Sequence, residues 1–229
     1  LNKNSIRSFK LKLYSKTFFE GYNKKINDFK PLAIVLVHSD VYWRQPDQFK
    51  EIETARRKLD DIPWGGQFEV YGFGIIDDFG RDQIPMGSAS VIGPLSKQSD
   101  DYYTYALDGT VALNGVLVYQ IRITPKSTHA PLVEGTIFIA NDSYQLVGVD
   151  VGFNEGVKFF PKPKEFRLKQ KFALYDNRYW LPDEIEWTFN IEMKFLGQTA
   201  KAHLHIQSQV YDGQINIALD PSVFDGKQV

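Results

Sequence analysis

The stretch that decides the fold is VLVYQIRITPKSTHAPLVEGTIFIANDSYQLVGVDVGF, residues 116–153. Leu117, Tyr119, Ile121 and Ile123 alternate there with Val116, Val118, Gln120 and Arg122. Successive side chains of a strand point to opposite faces, so strict period two reads as a half-buried strand. Thr124-Pro125-Lys126-Ser127 ends the run, because proline lacks the N–H that a ladder needs. Residues 134–140 are β-branched and apolar, and Asn141-Asp142-Ser143 is turn chemistry. Residues 144–153 then put Val147, Val149, Val151 and Phe153 on one face. Three strands with short breaks make an antiparallel meander.

The pattern extends in both directions. Upstream, residues 7–20, 32–44 and 48–57 read as strands, the last with a solvated face of Glu51, Glu53, Arg56, Arg57 and Lys58. In the second, Ala33, Val35, Val37, Val41 and Trp43 oppose Leu32, Ile34, Leu36 and His38, which predicts burial on both sides of its first half. Residues 101–107 resume strand character, Asp108-Gly109 reads as a turn, and 111–113 as a short strand before the Asn114-Gly115 hairpin signal. Downstream, Phe166, Leu168, Phe172 and Leu174 share a face. Residues 184–195 are the cleanest amphipathic strand, with Ile185, Trp187, Phe189, Ile191, Met193 and Phe195 on one side. Residues 199–211 return with Ala200, Ala202, Leu204, Ile206 and Val210 inward, and the tail beyond Asp212-Gly213 is loop-like.

Residues 60–97 differ, being rich in glycine and proline yet still apolar. Short helical turns and loops covering a sheet have that composition, whereas linkers are seldom so apolar. The sum is roughly ten antiparallel strands, and a sheet that long must curl because strands twist. The expected architecture is mainly β (α+β): a large curved antiparallel sheet or incomplete barrel, one domain over 1–229, with an irregular, partly helical lid at about 60–97.

Composition narrows the function. The chain has 229 residues, 43% hydrophobic and 24% charged, which is ordinary globular usage. The formal net charge of −1 gives no electrostatic case for nucleic acid or an anionic membrane surface. The absence of cysteine excludes disulfides, thiolate catalysis and zinc–cysteine sites. The chain opens at Leu1 without a signal peptide, as expected of a segment cut from a longer precursor.

No motif brings catalysis. There is no G-x-S-x-G elbow and no phosphate-binding glycine loop. The pairs Asp60-Asp61, Asp77-Asp78 and Asp100-Asp101 border turns, where capping explains them better than paired carboxylate chemistry. His203 and His205 project from one strand face and could hold a metal if Glu186 or Glu192 faced them; two solvated histidines are the simpler reading, and no cofactor is expected. The remaining candidate is the apolar face itself. Trp187, Phe189, Met193 and Phe195, with Trp43 and the lid aromatics Trp64, Phe68 and Phe73, would line a cleft for a lipid or acyl chain, or simply fill a packed core.

Three stretches carry a resemblance: VYWRQPDQFKEIETARRK at 41–58, VIGPLSKQSDDYYTYALDGT at 91–110 and VYQIRITPKSTHAPLVEGTIFIANDSYQLVGVDV at 118–151. In this order they resemble an uncharacterised domain of Gram-negative outer-membrane proteins. There it follows a carboxypeptidase-regulatory-like sandwich and precedes a membrane β-barrel. The NG hairpin, the I-x-P-K strand end, the G-T-I-x-I strand and the D-x-S-Y turn also resemble the lipoprotein-carrier superfamily (LolA/LolB-like), an incomplete barrel with a lid over a hydrophobic cleft. The resemblance implies a periplasmic, outer-membrane-associated domain without enzymatic activity. A lipid or lipoprotein acyl chain is its implied ligand. The alternative is a structural or protein-interaction module beside an outer-membrane barrel or partner protein.

Overall fold

The computed structural model describes residues 6–46, 48–60, 79–86, 89–113, 115–158, 163–195 and 198–225; the side chains of 60, 89, 193–195 and 198–200 fall outside the description. The strands are β1 (Ser8–Asn23), β2 (Asp28–Arg44), β3 (Gln48–Asp60), β4 (Ile84–Met86), β5 (Ala89–Val91), β6 (Tyr103–Leu113), β7 (Val116–Pro125), β8 (Val133–Ala140), β9 (Leu146–Phe153), β10 (Pro163–Tyr175), β11 (Tyr179–Phe195) and β12 (Gln198–Ile215). One short helix, α1 (Ser99–Tyr102), precedes β6, and a 3-10 turn spans Pro221–Phe224.

Ten strands form one antiparallel sheet in the order β3-β2-β1-β12-β11-β10-β9-β8-β7-β6. From β6 to β12 it is an uninterrupted meander. The seam between β1 and β12 is different, for it pairs the two ends of the chain, Phe9 with Ile215 and Glu20 with His203. The outermost strands β3 and β6 do not pair with each other, so the sheet is open.

The inner face holds the main core. Leu11, Val41, Ile123, Ile137, Val151, Leu168 and Trp187 belong to one buried cluster. Phe79, Ile84, Met86, Val91 and Ile92 join that cluster from the covering segment. Within 79–98 that segment is the β4–β5 hairpin with turns, not helix; the helical turn comes after it, at α1. Alternation of Ile84 and Met86 around exposed Pro85 suits a strand with one buried face. Tyr103 ties cover to sheet: its buried hydroxyl donates to the Ile92 carbonyl at 2.5 Å and accepts from the Val133 N–H at 3.3 Å.

Several expectations are corrected. Asp108-Gly109 is a bulge rather than a turn: β6 runs through it with a register shift, and Gly109 has φ +149°. A second irregularity, at Phe138/Ile139, moves Val147 away from Val149 and Val151 into a small separate cluster with Val118 and Ala140. β12 continues past Asp212-Gly213 to Ile215. Leu174 is exposed while its expected companions Phe166, Leu168 and Phe172 are buried. The first half of β2 is not buried on both sides, since Ile34 and Leu36 are half-buried and His38 is exposed.

The outer face across β9 to β11 is charged and paired. Arg167 forks onto Asp150 (2.6 and 2.9 Å), and Lys171 reaches Glu184 at 2.5 Å. Such pairs keep the face hydrated and add little stability each.

Candidate functional site

The inner face of β9, β10 and β11 is an aromatic wall. Phe166 pairs with Phe189 across the β10–β11 ladder, and Leu168 with Trp187. Phe166 stacks on Phe189 at 4.3 Å and on Phe153 at 4.4 Å, and its ring lies 5.3 Å from that of Trp187. Strand alternation produces this: every second residue of 185–189 is large and apolar, and neighbouring ladders bring rings into offset contact. Trp187, at 1% exposure, is packed on all sides.

The predicted cleft residues do not all converge. Trp187 and Phe189 meet in the wall. Trp43 does not join them: it stacks on Phe9 at 5.6 Å, at the other end of the strands. Trp187 shares its row with Ile206 and Thr17, whereas Trp43 shares a row with Phe9. The eight positions between Phe9 and Thr17 along β1 are ~26 Å of strand. The Trp43 indole Nε1 is buried without a hydrogen-bond partner among the described residues. Met193 and Phe195 lie in β11, but their side chains, like Trp64, Phe68 and Phe73 altogether, lie outside the described residues. Phe153 and Phe166 complete the wall and were missed as site residues. Their signal was in the ladder register, which joins separate strands and is absent from any single run.

On the outer face, behind the wall, a pocket of about 500 Å³ is bordered by Gly152 and the charged groups of Arg122, Glu134, Asp150 and Arg167. A Cβ on Gly152 would meet only the Phe166 carbonyl, at 3.6 Å, so that glycine leaves space. The guanidinium groups are already engaged, Arg167 by Asp150 and Arg122 by Asp108 at 2.7 Å. The pairing raises the Arg167 pKa and keeps it charged.

The two strand histidines go different ways. The His203 ring stacks on Phe29 at 3.6 Å, and His205 Nε2 lies 3.2 Å from Glu186 Oε1. Glu192 pairs with Lys164 instead. Among the described residues no group of three His, Asp or Glu side chains gathers for a metal. His38 lies against Tyr14 at 4.9 Å.

Fold and site together define a class: an open, all-antiparallel sheet domain with an aromatic inner wall and a separate covering hairpin. The chain belongs to the family DUF5686, a family of unknown function, whose model matches residues 1–211. No curated protein matches it. Among solved structures, a DUF1329-family protein from Desulfovibrio piger has TM-score 0.36 and 10% identity over 97% of this chain and 91% of that one. A structure described as an outer membrane lipoprotein-sorting protein domain, from Vibrio parahaemolyticus, has TM-score 0.31 and 10% identity, over 93% and 89%. A LolA-superfamily protein from Nitrosomonas europaea has TM-score 0.30 and 11% identity, over 97% and 91%.

Proposed function

We propose that this chain is a non-catalytic periplasmic domain of an outer-membrane-associated protein, and that it holds a lipid or acyl chain against the inner face of its sheet. One observation carries the reading: the contiguous wall of Phe153, Phe166, Trp187 and Phe189 shares its buried cluster with the separate two-stranded β4–β5 hairpin rather than with a second large sheet. A hairpin of that kind moves without breaking the ladders beneath it. Met193, Phe195, Trp64, Phe68 and Phe73 are carried in this reading as further candidate ligand residues. Trp43 supplies an indole N–H at the far end. The compartment rests on the resemblance carried by residues 41–58, 91–110 and 118–151.

The test is native mass spectrometry of the purified chain, with displacement of a fluorescent fatty acid as the second readout. Acyl adducts and saturable displacement are expected. Ile191 lies half-buried beyond Phe189 on the same face of β11. Ile191→Glu should weaken the probe by about tenfold or more, since it places a charge against the acyl path. Absence of both adduct and displacement overturns the reading.

A second reading, a protein-interaction module beside a membrane barrel, is favoured by β6. This edge strand, YTYALDGTVAL, contains no lysine or proline, and Leu107 is 64% exposed. Among the described residues no strand pairs with its outer side, and such an apolar edge invites another strand. The opposite edge β3 is guarded by the exposed Glu53, Arg56, Arg57 and Lys58, whereas Glu51, expected on the same solvated face, is half-buried in the row of Val41.

A further inference from the structure

Apolar residues of this sheet are not confined to its inner face. At the β1–β2 hairpin end, the outer face carries Leu59, Ile34 and Phe18 in one row across β3, β2 and β1. Tyr22 pairs with Phe29 on the same face nearer the tip, their rings 5.5 Å apart. Ile26 caps the hairpin and is 57% exposed; Leu59 is 47% exposed. The turn that presents Ile26 is built, not loose: Asn23 Oδ1 accepts from the Lys25 N–H at 2.9 Å, and the Tyr22 hydroxyl bonds Asn27 Oδ1.

Cations surround these side chains. Lys24 and Lys25 are exposed beside Ile26. Lys16 Nζ stands 4.3 Å over the Phe18 ring, and Lys201 Nζ 5.5 Å over Tyr22. Arg57 lies in the row of Lys16 on the far side of Leu36. The acids at this end are Glu20 and Asp28, with Glu192 opposite Lys201 on β11 but taken by Lys164. Cations therefore outnumber carboxylates among the described residues here. Across β9 to β11, by contrast, lysine and arginine on the same face stand opposite carboxylates.

We infer that this end of the outer face docks on the surface of an anionic lipid bilayer. Ile26 and the Tyr22, Phe29 and Phe18 rings enter the headgroup layer, while Lys16, Lys24, Lys25 and Lys201 reach lipid phosphates. Aromatic rings with a polar rim settle at that depth, and lysine stems lie along apolar surface while the ammonium stays in the polar layer. Apolar contact and basic charge reinforce each other at such surfaces. The attraction decays within a Debye length, so the local excess decides binding and the net charge of the chain does not. An exposed apolar tip flanked by lysines suits a bilayer better than a protein pocket. The site is on the face opposite the aromatic wall and is independent of any ligand there.

The test is co-sedimentation of the whole chain with vesicles of phosphatidylcholine alone or mixed with phosphatidylglycerol. Binding is expected only to the mixed vesicles. The double change Lys24→Glu with Lys25→Glu should reduce it by roughly tenfold or more, given about fivefold per cation near the surface. Ile26→Asp should reduce it comparably. Leu117→Asp, an equally open apolar site on β7, should leave it unchanged. In an independent readout, Ile26→Trp should show blue-shifted emission on adding the mixed vesicles. Equal binding to both compositions, binding that survives the tip changes, or an indole emission from the Ile26→Trp variant that does not move overturns the proposal. So does competition by soluble polyglutamate without any vesicle binding, which would assign the patch to an acidic protein.

Discussion

Tyr103 joins two parts of the molecule through a single oxygen atom. Burial pushes its phenol pKa up to about 12, so the hydroxyl stays protonated and donates to Ile92 at any ordinary pH. Tyr103→Phe leaves the Ile92 carbonyl and the Val133 N–H short of a partner, which should cost about 1–3 kcal/mol in urea unfolding. A loss near zero would mean the covering hairpin is held by apolar contact alone. Glu51 is the second informative residue. Burial raises its carboxyl above the ordinary range, a hydrogen bond with Ser39 partly offsets this, and the charge of Glu53 adds to the rise. A carboxyl raised in the fold binds its proton more tightly folded than unfolded, so stability increases as pH falls from above the folded pKa toward the unfolded one. Glu51→Gln, which cannot ionise, should therefore raise Tm at neutral pH, with a gain that shrinks on acidification through that window. A gain independent of pH would rule out ionisation as its source.

At the scale of the element, turns and bulges set the register. Gly135 has φ +139°, and a Cβ there would lie 2.3 Å from the Asp150 carbonyl. Gly135→Ala should destabilise β8 and β9 by more than about 1 kcal/mol, measured by denaturant midpoint; tolerance would mean the two strands separate easily. On the edge, Leu107→Lys should change stability by no more than about 0.5 kcal/mol, because the side chain is already in water. It should nonetheless reduce any concentration-dependent association seen in sedimentation velocity. Unchanged association would remove β6 from the interaction reading. Strand identity was readable from period two almost everywhere, as Ile185, Trp187 and Phe189 illustrate. Bulges were not, because Asp108-Gly109 has the same chemistry in a bulge as in a turn, and only the partner strand tells them apart.

For the whole molecule, what escaped the linear reading was distance. The inner wall depends on Phe153 and Phe166 meeting Trp187, three residues on three strands whose adjacency is a property of the ladder. Trp43 has the same composition signal as Trp187 and lies far from it, because strands of this length place residues of one face at opposite ends. The formal net charge of −1 argued against a membrane surface, yet charge is sorted in space: paired across β9 to β11, in cationic excess around Ile26. A sum over the chain has no access to that sorting. The charged edge β3 and the unguarded edge β6 are likewise written in their sequences, but nothing local marks them as edges.

The seam between β1 and β12 also bears on how the domain would respond to mechanical load. The Arg7 N–H donates to Asn216 Oδ1 at 2.6 Å and the Asn216 N–H to the Ser8 carbonyl at 2.8 Å, so these two points of the chain sit side by side on adjacent antiparallel strands. Tension applied across residues 7 and 216 falls on one rung at a time, peeling rather than shearing. The sheet would open like a zip into a leaf of β1, β2 and β3 and a leaf of the remaining seven strands. In a force-extension trace this is a weak first event that leaves the aromatic wall and its cover intact on the larger leaf.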